Sequence, residues 1–401
     1  MSLNSVPSGE RLHIGFFGQR NAGKSSLVNA FTGQELSVVS DVKGTTTDPV
    51  RKSMELLPLG PVVVIDTPGW DDEGELGAKR IGRTNEILKT CDIAVLVVDG
   101  TVGLRDEDEE LLQLMRQRQL PHLVVWNKSD LAGGLPVPEG AVAVSSVTGE
   151  SVVALRERIA HMLTERREIP LVADLVSAGE FVVLVCPIDE SAPKGRLILP
   201  QQQTIRELLD VGAIPVVTKE TELAIVLERL GTKPAMVITD SQAFRVVSGI
   251  VPGDIPLTSF SILMARHKGF LESAVRGIRA LREIRDGDRI LMAEGCTHHR
   301  QCNDIGTVKI PNWLRKFSGR EIVIETCSGR DFPEDLTPYR AVIHCGGCML
   351  TEAMLTARRE QAHRQGVPFT NYGTAIAYMT GALERSLAMF PAELAMLKEV
   401  R

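Results

Sequence analysis

Short, nearly unbroken apolar runs recur along the chain, and most lead through a polar loop into a stretch with apolar positions at helical spacing. His13–Phe17, Val62–Ile65 and Leu123–Trp126 are the first of these runs. Phe181–Val185, Ile214–Val217 and Ala235–Thr239 continue the rhythm, followed by helical patterns at Gln203–Leu209, Glu220–Leu230 and Ser241–Val247. Runs at 289–293, 321–325 and 340–343 close the series. Alternation of this kind predicts parallel strands with crossover helices, the α/β class. A helix over Ser151–Arg167, apolar at Val152, Leu155, Ile159 and Leu163, leads into Arg166-Arg167-Glu168-Ile169-Pro170, where charge and a proline mark a boundary. Phe260–Arg282 reads as mostly helical, its arginines a solvated face. The expected organisation is a P-loop domain over 1–168, followed by two smaller α/β domains with largely parallel sheets, over 169–262 and 263–401. No internal repeat is evident in the sequence.

Composition narrows this picture only at its edges. With 401 residues and 43% hydrophobic content the chain can bury large cores. A net charge of −6 argues against a broad nucleic-acid-binding surface. No apolar run reaches the roughly 18 residues of a membrane span, and the first residues lack the pattern of a signal peptide. Seven cysteines, three of them near histidines, suit a reducing cytoplasm better than a disulfide framework. The expected location is cytoplasmic.

The chemistry of the first domain begins at Gly18-Gln19-Arg20-Asn21-Ala22-Gly23-Lys24-Ser25, a full phosphate-loop motif between a strand and the helix opened by Ser26. Gly18 and Gly23 let backbone N–H groups cradle phosphates, Lys24 reaches the terminal phosphates, and Ser25 ligates magnesium. In Gly44-Thr45-Thr46-Thr47-Asp48, Thr46 is the expected threonine ligand of magnesium. Asp66 ends a buried strand beside the metal, and Gly69 of Thr67-Pro68-Gly69 offers an N–H to the γ-phosphate. Asn127-Lys128-Ser129-Asp130 follows another strand. Asp130 can accept from guanine N1–H and the N2 amine, a pair that adenine cannot match. Ser145 and Ser146 stand where a backbone N–H would meet guanine O6. Five motifs in order predict GTP, with Lys24, Thr46 and Gly69 at the reacting phosphate. The domain resembles the TrmE–Era–Septin-like GTPases. Trp70 occupies the position of the water-orienting glutamine of Ras-like proteins, and Asn21 resembles the asparagine that holds potassium in some of these GTPases. The expectation is slow hydrolysis stimulated by K⁺, the alternative for Asn21 being a turn residue.

A second centre is expected near the end of the chain. Cys296-Thr297-His298 and His344-Cys345-Gly346-Gly347-Cys348 each follow a short apolar strand, where open α/β sheets bind ligands. A helix expected directly after Cys348 would turn its amino end toward the thiolates. By spacing alone, Cys296, Cys345, Cys348, His298 and His344 fit either tetrahedral zinc or a 4Fe-4S cluster on three cysteines. His298 shares an extended-chain face with Cys296, which favours it over His299. Asp189, beside Glu190 after the strand at 181–185, is a further candidate ligand, though loop charges of this kind are commonly plain solvated groups. Cys91, Cys186, Cys302 and Cys327 are expected to be buried or incidental.

A GTPase joined to a Cys-x-His…His-Cys-x-x-Cys segment resembles the FeFe-hydrogenase maturation GTPases over nearly the whole chain. The resemblance implies that the middle segment dimerises and that Cys296, Cys345 and Cys348 hold a 4Fe-4S cluster. His298, His344 or Asp189 would then be an outer or exchangeable fourth ligand. It implies a scaffold that receives a di-iron precursor from two radical-SAM maturases and delivers it to apo-FeFe-hydrogenase, without nucleic acid or membrane. The competing expectation is a regulatory GTPase of RNA modification or ribosome assembly with a structural zinc.

Overall fold

The apolar runs become the strands of three sheets in the computed structural model, which describes residues 11–33, 49–69, 82, 84–131, 136–162, 169–188, 197–295, 304–329, 331–347 and 350–400. The chain divides into two compact units, one of Met1–Arg167 with Thr351–Met354, the other of Glu168–Leu350 with Leu355–Arg401.

In the first unit β1 (Leu12–Phe17) lies at the centre of a six-stranded sheet, between β3 (Gly60–Asp66) and β4 (Ile93–Asp99). Beyond β4 come β5 (His122–Asn127) and β6 (Val142–Ala143), all parallel. β2 (Val50–Leu56) pairs antiparallel with the outer side of β3. Helices α1 (Lys24–Thr32), α2 (Asp106–Gln117) and α3 (Val152–His161) cover the sheet. Both faces are buried: Ile14, Phe16 and Val95 pack with Phe31 and Leu155 on one side, Phe17, Ile65 and Leu96 with Leu111 and Trp126 on the other. That double burial is why the strands read as continuous apolar runs. Each such side chain contributes about 1.5–3 kcal/mol when fully buried. β2 alternates in burial and has no such run, which hid it in the sequence. The loops after β1, β3 and β5 leave the sheet at one edge, the edge at which doubly wound sheets bind ligands.

The second unit holds two four-stranded parallel sheets. The first has β7 (Phe181–Val185), β8 (Ile214–Thr218), β9 (Met236–Thr239) and β10 (Leu257–Ser259) in the order β8-β7-β9-β10. The other has β11 (Arg289–Glu294), β12 (Val323–Ser328), β13 (Ala341–His344) and β14 (Phe369–Asn371) in the order β12-β11-β13-β14. These are the same order, second–first–third–fourth, so the unit repeats one topology that the sequence does not disclose. Both halves share one continuous apolar core. In the first half the helices are α4 (Leu199–Asp210), α5 (Leu223–Arg229), α6 (Phe244–Ile250) and α7 (Phe260–His267). α8 (Leu271–Arg282) leads into the second half, which has α9 (Ile310–Ser318), α10 (Glu352–Arg364), α11 (Tyr372–Met379), α12 (Leu383–Ser386) and α13 (Pro391–Val400).

The last strand of each half turns straight into a capped helix. Ser259 accepts the Ile262 N–H at 3.3 Å, and Asn371 accepts the Thr374 N–H at 2.8 Å. The two helix starts touch: a Cβ on Gly373 would fall 2.1 Å from that of Ser261. The helix read over Phe260–Arg282 is two helices, broken where Gly269 takes a left-handed φ of 67°. The helix expected directly after Cys348 begins at Glu352, with the Thr351 hydroxyl accepting the Met354 N–H at 3.2 Å. Among the described residues no helix is long and apolar enough to cross a membrane.

Candidate functional site

The phosphate loop joins β1 to α1. Gly18 has φ 138°, and a Cβ there would sit 2.2 Å from the Val97 carbonyl; Gly23 has φ 86°, and a Cβ there would sit 2.2 Å from Asn127 Nδ2. Neither position admits a side chain. Asn21 also takes a left-handed φ, 63°. Lys24 is buried and donates from Nζ to the carbonyls of Gly18 (2.9 Å) and Gln19 (2.6 Å). Ser26 continues α1.

Ser25 and Asp66, far apart in the sequence, meet here: Ser25 Oγ donates to Asp66 Oδ2 at 2.6 Å. Asp66 Oδ1 is buried with no hydrogen-bond partner among the described residues. Burial pushes the Asp66 carboxyl above its ordinary range, while the Ser25 hydroxyl and the Lys24 and Lys52 ammoniums pull it back. A buried carboxylate oxygen without a donor, beside a hydroxyl, fits one flank of a magnesium site. Thr46 lies outside the described residues; Gly69 is described and half-buried.

Asn127 ties the loops together. Its Nδ2 donates to the Ala22 carbonyl at 2.9 Å, and its Oδ1 accepts the Ser146 N–H at 3.1 Å. Lys128, at φ 62°, reaches Asp99 Oδ2 at 2.5 Å. Burial works against the charge of Asp99, but the donors on Lys128 and Thr101 hold its carboxyl below the usual range. Asp130 is exposed, and buried Ser145 accepts the Thr148 N–H on Oγ at 3.1 Å, which shapes the loop. Asp99 was missed in the sequence, yet Ile93–Val98 followed by a carboxylate repeats the pattern that ends in Asp66. Gln19 was also missed. It donates to Asp108 at 3.1 Å and accepts from Arg105 Nη1 at 2.9 Å, anchoring the phosphate loop to the start of α2.

At the carboxyl edge of the last sheet, β11 ends in Glu294 and β13 in His344, with Ala293 paired to His344. Cys345 follows, half-buried, its Sγ accepting the Gly295 N–H at 3.0 Å and the Gly347 N–H at 3.4 Å. Amide donors aimed at a sulfur are the surroundings of a thiolate or of a metal-bound sulfur. Gly295, the residue before Cys296 in the sequence, is thus held against the Cys345 sulfur. Cys296, His298, Cys348 and Asp189 lie outside the described residues, and among the described residues no three His, Cys, Asp or Glu side chains gather as a metal site.

His344 is fully buried. Its Nδ1 lies 2.7 Å from the Cys345 carbonyl and must carry the proton; its Nε2 lies 2.9 Å from Arg358 Nη1 and must be the acceptor. Burial, then the Arg358 charge, pushes its pKa down to about 3. In this arrangement neither ring nitrogen has a lone pair free for a metal. Arg358, which no sequence pattern singles out, is itself 6% exposed and also donates to the Gly329 carbonyl. Lys268 Nζ holds the other side of the loop through the Gly347 carbonyl at 2.7 Å. The remaining described cysteines are buried: Cys91 just ahead of β4, and Cys186 and Cys327 with thiols pushed by burial up to about 12 and about 11.

Three family profiles match the chain. Residues 13–128 match the 50S ribosome-binding GTPase family, residues 171–269 the hydrogen maturase F dimerization domain, and residues 272–389 the hydrogen maturase F tetramerization domain. The tRNA modification GTPase MnmE of Chromobacterium violaceum is 36% identical over 160 residues, 38% of this chain and 35% of that protein. GTPase Der of Wolinella succinogenes is 42% identical over 132 residues, 32% of this chain and 27% of that protein. The chain thus spans about a third of the length of these curated relatives. Among solved structures, a probable GTP-binding protein engB is 26% identical over 38% of this chain and 100% of its own, with a TM-score of 0.30. The G domain of the T. maritima FeoB iron transporter is 23% identical over 39% of this chain and 100% of its own, also at 0.30. The first unit is a GTPase domain, and the second carries self-association domains.

Proposed function

We propose that this chain, which has the domain architecture of the hydrogen maturase F GTPases, is a GTP-hydrolysing scaffold for FeFe-hydrogenase maturation. It would receive a di-iron precursor from radical-SAM maturases and deliver it to apo-hydrogenase, as a homo-oligomer in the cytoplasm. The observation that carries this reading is one chain joining a GTPase domain to both hydrogen maturase F domains. The amide-cradled sulfur of Cys345 at a sheet edge supports it. The working segments would be 1–168 for nucleotide, 169–262 for dimerisation and 263–401 for metal.

In the first segment the N–H groups of Gly18–Ser26 hold the phosphates and Lys24 neutralises their charge. Ser25, Thr46 and Asp66 would hold magnesium and Asn21 potassium. Asn127, Lys128, Asp130, Ser145 and Ser146 select guanine. The Gly69 N–H reads the γ-phosphate, so its loss on hydrolysis would release the loops after Gly44 and Thr67 and bias partner binding. Cys296, Cys345 and Cys348 would hold a 4Fe-4S cluster, which when bound supplies an iron with an exchangeable position.

Anaerobic reconstitution with iron, sulfide and zinc analysis tests the reading. The expected result is about four irons and four sulfides per chain, the number set by the cluster type, with a paramagnetic reduced state lost in Cys345→Ser. The likeness of the first unit to MnmE favours a second reading, a regulatory GTPase with a structural zinc. Stoichiometric zinc that iron and sulfide cannot displace would establish that reading and end the first.

A further inference from the structure

We propose that Arg358 is the counter-charge of the metal centre, a buried cation that stabilises the more negative state of a cluster held by Cys345 and so raises its reduction potential. The inference rests on the iron–sulfur reading above. Arg358 lies in α10, and 6% of its surface is exposed. Its Nη1 donates to His344 Nε2 at 2.9 Å, its Nη2 donates to the Gly329 carbonyl, and the guanidinium lies over the Phe332 ring at 4.7 Å from the centroid. None of these partners carries a negative charge. Buried arginines ordinarily meet a carboxylate, because a desolvated cation regains its lost hydration energy only from an anion. Among the described residues no carboxylate pairs with Arg358; the groups that favour its charge are the sulfurs of Cys327 and Cys345.

Cys327 packs into the core beside β11, whereas Cys345 sits at the open sheet edge with two amide donors on its sulfur. The missing anion is therefore expected on the Cys345 side. A cluster on three thiolates is anionic and becomes more so on reduction, so a fixed cation nearby favours the reduced form. His344 has a part in this that differs from ligation. With Nδ1–H donated to the Cys345 carbonyl and Nε2 accepting from Arg358, the ring is a rigid spacer between the guanidinium and the cysteine loop. No feature of the sequence pairs these residues; α10 and β13 bring them together.

The test compares reconstituted full-length protein with R358Q and R358K, first by iron and sulfide content and then by EPR-monitored redox titration. R358Q is expected to load as wild type does, but with the reduced-to-oxidised ratio at fixed potential lowered about tenfold. For a one-electron couple that is a shift of about 59 mV to lower potential. R358K, which keeps the charge, is expected to recover most of the shift. An R358Q cluster titrating at the wild-type potential overturns the proposal and leaves the iron–sulfur reading standing. Wild-type protein that takes up no iron overturns both, and metal analysis shows this before any titration. Should R358Q keep its circular dichroism but lose iron, R358K decides: uptake restored by lysine supports a charge role, and equal loss in both overturns it.

Discussion

Gly277 lies in the middle of α8, where glycine costs a helix about 1 kcal/mol relative to alanine. A substitution to alanine would therefore stabilise an isolated helix. Here it should do the opposite. A Cβ on Gly277 would fall 2.3 Å from the Phe369 carbonyl oxygen, 2.6 Å from its carbon and 3.1 Å from the Thr370 nitrogen, all backbone of β14. No rotamer relieves a clash with backbone, so α8 must move off the sheet, and overpacking of this kind costs about 1–3 kcal/mol. The shift also stretches the bond from Thr370 Oγ1 to the Ala274 carbonyl, now 2.9 Å, which is worth about 1 kcal/mol. Against a gain of about 1 kcal/mol from propensity, Gly277→Ala should destabilise by about 1–3 kcal/mol net. Gly249, near the end of α6 in the same unit, is the control. It is exposed, and a Cβ there would meet nothing within 4 Å, so Gly249→Ala should stabilise by up to about 1 kcal/mol. Urea unfolding followed by far-UV circular dichroism measures both, with GTP turnover as a check that the first unit is intact. Equal effects of the two substitutions, or a Gly277→Ala protein more stable than wild type, would refute the packing argument.

Acid should weaken the metal-free protein through His344. Its pKa is about 3 when folded against an ordinary 6.5, so below pH 6.5 the unfolded chain binds a proton that the folded chain refuses. Stability is unaffected above that value and declines as pH falls toward 3; at pH 5 the loss is about 2 kcal/mol by the usual conversion. Denaturation of wild type and His344→Gln at pH 7 and pH 5 should show this extra loss only in wild type. Asn127→Ala removes two hydrogen bonds that join the phosphate loop to the Ser146 loop. Guanine nucleotide affinity should fall at least about tenfold by fluorescent-nucleotide titration, since each bond is worth about 1 kcal/mol. Ser25→Ala should raise the magnesium concentration needed for half-maximal turnover, with nucleotide affinity in EDTA unchanged. Turnover in K⁺ should exceed that in Na⁺, and Asn21→Ala should abolish the difference.

The nucleotide site was legible because its parts are local: Gly18–Ser25, Asp66 and Asn127–Asp130 each follow an apolar strand by fixed spacing. What escaped was what the fold brings in from elsewhere. Asp99 meets Lys128 only because β4 and β5 are neighbours, and Gln19 meets Asp108 only because α2 starts beside the phosphate loop. Arg358 had no signal at all, since an arginine in a polar-looking helix reads as a solvated charge; α10 carries it under the sheet edge instead. Element boundaries failed where one residue overrode periodicity. The left-handed Gly269 splits the helix pattern at 260–282, and Thr351 caps α10 several residues after Cys348.

The repeated topology of the second unit explains why one sheet edge is the better candidate for chemistry. By strand order, β9 corresponds to β13 and β7 to β11, so Thr239-Asp240-Ser241 stands where His344-Cys345-Gly346 stands, and Cys186 where Glu294 stands. In the first half Asp240 accepts from Gln201 Nε2 at 2.9 Å, and Ser241 lies within hydrogen-bonding distance of Ser259 and Ser261. Those polar groups are spent on holding the loop to α4 and to the contact between the halves. At the corresponding place in the second half, the N–H groups of Gly295 and Gly347 converge on one sulfur, and a buried cation stands behind it. The backbone geometry is shared; the donors and charge are not. A thiol at position 240 would stand beside the Gln201 amide, where the second half sets the N–H groups of Gly295 and Gly347, so Asp240→Cys should not create iron binding. Iron uptake by a Cys345→Ser, Asp240→Cys double variant would show instead that the strand-end geometry alone is sufficient.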